Sequence, residues 1–339
     1  MREAVEGRGS RVEGAEIASS FSPATLDPRP STALARFRRN RPALLSAWVL
    51  AIVAALILAW PFVLNLARHF GRSGEVFSQL HDPNRLSDEQ FQPPGSRHWF
   101  GTDVHGRDLF SRVLYGARVS LLVGIVGAAV SLVIGVLWGA IAGYAGGRVD
   151  ALMMRFVDVL YSLPSIIFVI VLVTTLEIVW KNWLVDIGSP SLARSSRLLF
   201  LFVGLGAVSW LTMARIVRGQ VLSLRQRPFV EASRALGATP WRILRQHIIP
   251  HTFGVVVVYL TLTIPAIILY ESFLSYLGLG IQPPMASWGS LIAEGAEQIN
   301  PIRSYWWLIV FPGGFLVTTL LALSLLGDGL RDAWEVRRQ

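Results

Sequence analysis

The chain of 339 residues is 53% hydrophobic and only 16% charged, with a positive mean hydropathy, which excludes an ordinary water-soluble globular domain. It has no cysteine, so disulfide and thiol chemistry are excluded, and its only lysine, Lys181, follows no GxxxxGK[ST] run, so it carries no P-loop of the usual kind. The formal net charge of +9 does not point to nucleic acid, because the basic residues stand beside apolar runs and no nucleic-acid motif accompanies them.

Residues 1–35 are rich in Gly, Ser, Glu and Arg without apolar periodicity and read as a disordered tail. Arg36, Arg38, Arg39 and Arg41 then stand directly before an apolar run, which places this end in the cytoplasm by the positive-inside rule. The run is about twice as long as a signal-peptide core and has no small-x-small exit, so it reads as a retained span. Six runs are long enough to cross about 30 Å of hydrocarbon: 43–66, 119–144, 151–180, 198–222, 252–278 and 305–326. The expected fold class is an all-α membrane protein of about six transmembrane helices, with both termini cytoplasmic.

On this count the polar stretch between the first two runs is extracytoplasmic, and over 68–117 six arginines balance six acids. Asp108 is placed to cap a short amphipathic helix whose Leu109, Val113 and Leu114 turn inward. His98, Asp103 and His105 match no strong metal-ligand spacing and read as a solvated structural loop. In the second run Gly135, Gly139 and Gly143 recur at four-residue spacing, a ridge on which another helix can approach closely. Arg155 and Asp158, three apart, are spaced to pair. Pro164, Pro265 and Pro312 each fall inside a predicted span, as static kinks or as hinges. Glu271 lies in the fifth run, where a carboxylate is costly unless it faces the bundle interior or a partner.

Four spans return the chain to the cytoplasm at 228–250, PFVEASRALGATPWRILRQHIIP. Charge agrees, since Arg215, Arg218, Arg225, Arg227, Arg234, Arg242 and Arg245 surround a single acid, Glu231. Pro228 suits a first helical turn, Gly237 supplies a stop, and Thr239 with Pro240 gives the N-cap and first-turn proline of a second helix. Phe229, Ala232, Ser233 and Leu236 share one face of the first helix, while Glu231 and Arg234 share another where they can pair. Trp241, Leu244 and Ile248 form the apolar stripe of the second, which Pro250 closes. By periodicity alone this is an interfacial segment connecting two spans.

Glu231-Ala232, the small Ser233, Gly237 and the closing Ile249-Pro250 resemble the EAA loop of ABC importer membrane subunits. Two positions depart from its general form: Ser233 stands where a second alanine is usual, and His247 where an isoleucine is usual. GTDVHGRDLFSRVLYGARVSLL before the second run and GYAGGRVDALMMRFVDVLYSLPS after it look like permeases of the dipeptide, oligopeptide and nickel class. So do GLGIQPPMASWGSLIAEG at 278–295 and GDGLRDAWE at 327–335. Within that class the chain is similar to the second, C-type, of two paired permeases.

The resemblance implies the transmembrane domain of a type I ABC importer in a bacterial inner membrane. It divides the chain into a tail (1–35), a first helix with an extracytoplasmic segment (36–117) and a core permease domain (118–335) bearing the 228–250 coupling loop. The subunit would be non-catalytic. Its partners would be a second homologous permease, two cytoplasmic ATPase subunits or domains, an extracytoplasmic solute-binding protein and membrane lipid, with no nucleic acid. ATP and Mg would belong to the ATPases, and this chain would bind no cofactor or metal. Glu231, Ala232, Ser233, Arg234, Gly237, Ala238, Thr239 and Pro240 would be the ATPase-coupling residues, and Glu271 a candidate for the translocation path or subunit interface. Peptide is the expected solute; nickel fits less well, since no span carries a His cluster suited to it. The competing classes are an ion-driven transporter working through Glu271 and a non-transporting scaffold that docks a partner on the loop.

Overall fold

The computed structural model describes residues 33–186, 190–300 and 302–335, which are predominantly helical. Most of the expected tail, residues 1–32, lies outside the described residues, while its last residues open a short helix, α1 (Ala33–Arg39). Next comes α2 (Arg41–Ala67), capped by Asn40, whose side chain accepts from the Ala43 N–H at 3.2 Å. After α3 (Gly71–Leu80) and an irregular segment, α4 (Leu109–Ala145) begins on the expected cap: Asp108 accepts from the Ser111 N–H at 2.9 Å. Leu109, Val113 and Leu114 are buried as expected. The helix they open is not short. With no proline and no positive-φ glycine in 109–145, it continues through the second apolar run for 37 residues.

The third apolar run is not one straight helix. It divides into α5 (Gly147–Ser162) and α6 (Ser165–Asp186), bent by 94°. Pro164 therefore lies at a break between helices, not inside one. Its ring disfavours helical backbone at the preceding residue, and Leu163 is extended at φ −81°, ψ 139°. Pro265 and Pro312 do lie inside helices, in α10 (Ile249–Tyr276) and α12 (Trp307–Glu335), and so does Pro61 in α2. Between α6 and α10 run α7 (Pro190–Leu224), α8 (Pro228–Ala235) and α9 (Pro240–Ile243), and α11 (Trp288–Ala296) precedes α12. Among the described residues five helices are long and apolar enough to cross a membrane, or six if α5 and α6 form one broken span.

The bundle is built on α4 against α7. The glycine ridge makes that contact: a Cβ on Gly135 would stand 2.6 Å from Met213 Cβ, and one on Gly143 2.9 Å from the Arg218 carbonyl oxygen. Only a hydrogen there lets the two backbones approach this closely. α10 crosses the same helix, α12 packs against α2 and α10, and α11 sits across the end of the bundle where α4 starts. There Trp288, fully buried, donates from Nε1 to the Val113 carbonyl at 3.1 Å.

Candidate functional site

The 228–250 loop joins the end of α7 to the start of α10. Gly237 ends α8 in the left-handed region at φ +79°. Its N–H bonds to the Arg234 carbonyl at 2.9 Å and that of Ala238 to the Ser233 carbonyl at 3.0 Å, a Schellman stop that satisfies the free carbonyls. Thr239 caps α9, and its side chain accepts from the Arg242 N–H at 3.4 Å. The second half of the loop is not a separate helix closed by Pro250. It runs through a π turn, Leu244–Ile248, straight into α10. In that wider turn the Ile249 N–H reaches the Leu244 carbonyl, and Pro250, with no N–H to donate, falls in the first turn of α10.

The loop is fastened by residues that differ in part from the expected stripes. Val230, Ile243, Leu244 and Ile248 are buried against Met213, Val217, Val221 and Val256. Leu236, at 88% exposure, and Trp241, at 57%, instead point outward. The expected stripe of Trp241, Leu244 and Ile248 therefore holds for Leu244 and Ile248 and not for Trp241. Val230, which the expected stripes missed, stands two residues after Pro228 in the first turn of α8. Phe229 stacks on His251 at 5.0 Å between ring centroids and fixes α8 to α10.

The expected coupling residues share one small surface. Glu231, Ala232, Arg234, Gly237, Thr239 and Pro240 are exposed, and Ser233 and Ala238 are half-buried. The Ser233 hydroxyl donates to the Phe229 carbonyl at 2.8 Å, and Ala238 packs on the loop's core. Glu231 does not pair with Arg234. The Arg234 guanidinium stands over the Tyr144 ring at 5.4 Å, and Glu231 makes no ion pair among the described residues. Between Leu236, Trp241, Arg242 and Arg245 the loop thus offers apolar and cationic side chains around one unpaired carboxylate.

Arg155 and Asp158 also fail to pair. Asp158 bonds to Arg215 at 2.7 Å and Asp150 to Arg218 at 2.5 and 2.6 Å, both across from α5 to α7. Helical spacing alone does not reveal these cross-helix partners. They explain how α7 carries arginines beyond Met213 without ending: each is neutralised by an acid of α5.

Glu271 has no exposed surface. It is enclosed by this chain's own packing. Ser275 donates to its Oε1 at 2.6 Å and Ser120 to its Oε2 at 3.3 Å. The Trp288 N–H donates to Ser120 at 3.2 Å and Ser287 to Ser275 at 3.3 Å, so one carboxylate ties α4, α10 and the start of α11 together. Near the same end, His98 and Asp103 are consumed by other contacts. His98 bridges Asp108 at 2.9 Å and Glu89 at 3.3 Å. Asp103 accepts from Arg107 at 2.7 Å and from Arg112, and Arg112 reaches on to Glu294 of α11 at 2.8 Å.

Residues 135–338, which hold the glycine ridge, the loop and Glu271, match the family described as binding-protein-dependent transport system inner membrane component. The chain belongs to that family. It is accordingly an inner membrane component, and among its described residues five helices, or six with the broken pair, are long and apolar enough to span. The dipeptide transport system permease protein DppC of Bacillus subtilis strain 168 is 41% identical to it over 286 residues, 84% of this chain and 81% of the relative. The oligopeptide transport system permease protein OppC of Escherichia coli K12 is 42% identical over 302 residues, 88% of each chain. OppC of Haemophilus influenzae is 42% identical over 300 residues, 88% of this chain and 86% of the relative. An inward-facing MetNI methionine ABC transporter structure is similar at a TM-score of 0.46 and 20% identity, covering 66% of this chain and 97% of that one. That likeness is too distant to support comparison of residues.

Proposed function

We propose that this inner membrane component is the C-type permease subunit of an ATP-driven peptide importer and that the 228–250 loop is its contact with the ATPases. The observation that carries the reading is the loop itself. Its backbone is fixed by a Schellman stop and a capped second helix, its apolar anchors are buried, and an unpaired Glu231 stands exposed with Leu236 and Trp241. A stiff element with an open, mixed apolar and charged face transmits displacement from a moving partner; a mere connection between spans needs no such face. The similarity to dipeptide and oligopeptide permeases supports peptide as the solute.

In this reading the chain is not a catalyst. It pairs with a second homologous permease to enclose one path, two cytoplasmic ATPase subunits or domains hold ATP and Mg, and an extracytoplasmic binding protein delivers the solute. Both termini and the loop are cytoplasmic, consistent with the arginines that crowd the loop and precede α2. The ATPase-coupling residues are Glu231, Ala232, Ser233, Arg234, Gly237, Ala238, Thr239 and Pro240.

Gentle affinity purification of the tagged chain from membranes, with its co-purifying proteins identified, tests the assembly. Recovery of a second permease and P-loop ATPases is expected, followed by ATP-dependent peptide uptake once they are reconstituted with the binding protein. Repeated isolation of the intact chain alone, under conditions that keep a known importer together, would overturn the reading.

A further inference from the structure

α7 and α5 are joined by a ladder of side chains in consistent antiparallel order. Thr212 meets the Tyr161 hydroxyl at 2.6 Å, and Arg215 bonds to Asp158 with its guanidinium 3.9 Å above the Tyr161 ring. Arg218 forks onto both oxygens of Asp150, and Arg225 donates to the Gly143 and Tyr144 carbonyls at 3.2 and 3.4 Å, closing the end of α4. As numbers rise along α7 they fall along α5 and α4. The rungs run from Thr212 to Arg225, fourteen residues and about 20 Å at the α-helical rise. The two-point Arg218–Asp150 rung has the most directional geometry for an arginine–carboxylate pair.

The ladder ends just past α7, and Pro228 opens the loop three residues after Arg225. At its other end α5 closes with the Leu163 N–H on the Leu160 carbonyl at 3.3 Å, the chain passes through the extended Leu163, helical bonding resumes with the Phe168 N–H on the Pro164 carbonyl at 3.0 Å, and α6 departs at 94°. α5 is thus laced to the helix that carries the loop and joined to α6 only through a break.

We infer that Arg215, Arg218, Asp150 and Asp158 are positioning residues that make α5 a rigid extension of α7, so that displacement of the 228–250 loop is delivered to α6 by rotation at Leu163–Pro164. This inference rests on the proposed coupling role of the loop and adds the route by which its motion reaches the spans. The pairs act by keeping two helices in register. Losing one rung leaves the loop's own surface intact and frees α5 from α7, so that α6 keeps only its direct packing on α7 through Val169 and Val173.

The test uses the full importer complex, its other subunits freed of cysteine; this chain has none of its own. Spin labels go on two pairs of exposed sites, Ala235→Cys with Leu152→Cys (loop to α5) and Leu152→Cys with Ile178→Cys (α5 to α6). Between the nucleotide-free and the ATP-vanadate-trapped states, the first distance is expected to hold and the second to shift. In Asp150→Asn with Asp158→Asn, the first distance broadens and solute moved per ATP falls on the order of tenfold. Exchanging the charges, Asp150→Arg with Arg218→Asp, restores the ratio if register is what matters. A shift of the loop-to-α5 distance in the otherwise unaltered chain would overturn the inference while leaving the coupling role standing. If neither distance responds although the ATPases are bound and turning over, the coupling role itself fails and the inference with it.

Discussion

His98 Nδ1 lies 2.9 Å from Asp108 Oδ1, the same carboxylate that caps α4, and His98 Nε2 lies 3.3 Å from Glu89. The hydrogen bond to Asp108 raises the His98 pKa above the ordinary 6.5; burial opposes it, and the charges of Asp108 and Glu89 reinforce it. A raised folded-state pKa gives stability that is fully present below pH 6.5 and is lost as pH rises through the folded value. Hydrogen-exchange protection factors over residues 87–103 should therefore fall above pH 6.5. In His98→Gln that slope should vanish, and a flat profile in the unaltered chain would refute the assignment.

Asp103 works in the opposite sense. Burial by itself would raise its pKa, but Arg112 and the N–H and charge of Arg107 together hold the carboxyl below the usual carboxylate range. Its stabilising contribution is present above pH 3.8 and disappears as pH falls through the depressed value. Arg112→Ala leaves Asp103 and Glu294 to Arg107 alone and should cost about 1–3 kcal/mol. A clear drop in thermal unfolding temperature in detergent is the readout, and an unchanged temperature would count against a buried network.

Glu231→Ala and Gly237→Pro should leave membrane insertion intact and uncouple uptake from ATP hydrolysis by on the order of tenfold. For Gly237 the reason is local: φ +79° lies outside what a proline ring can adopt. Normal peptide uptake by both variants in proteoliposomes would remove the coupling role.

Leu236 and Trp241 separate contact from stability. Because both are exposed, Leu236→Ala and Trp241→Ala should change unfolding by less than about 0.5 kcal/mol. Each should nonetheless weaken ATPase binding roughly tenfold, as the loss of an apolar anchor does. Ile243→Ala, at a fully buried position, should instead cost about 2–5 kcal/mol of stability. Thermal unfolding and ATPase pull-down on the same three variants distinguish the roles.

Glu271 ties three helices through serines, so Glu271→Ala should destabilise the bundle by about 1–3 kcal/mol per stranded group and Glu271→Gln by less. Uptake by the complex should persist under an uncoupler while ATP is held constant. Collapse of uptake under that condition would favour an ion-driven mechanism through this residue.

The sequence by itself determined what local chemistry controls. Apolar run length specifies spans, Asp108 and Thr239 specify caps, Gly237 specifies a left-handed stop, and Gly135, Gly139 and Gly143 specify a close helix contact. Each of these depends on residues within one or two helical turns, so spacing reveals them. The break at Pro164 was legible as a proline and not as a 94° bend, because the bend also depends on the acidic face of α5 being held against α7. Only the tertiary structure decided which charges pair. Arg155–Asp158 and Glu231–Arg234 have the right spacing along one helix, yet Asp158 reaches Arg215 and Arg234 turns to Tyr144, since partners fixed by packing lie closer than helical neighbours. It also decided that Glu271 is enclosed by serines of its own chain and that Leu236 and Trp241 face outward, because burial depends on what the rest of the fold places overhead.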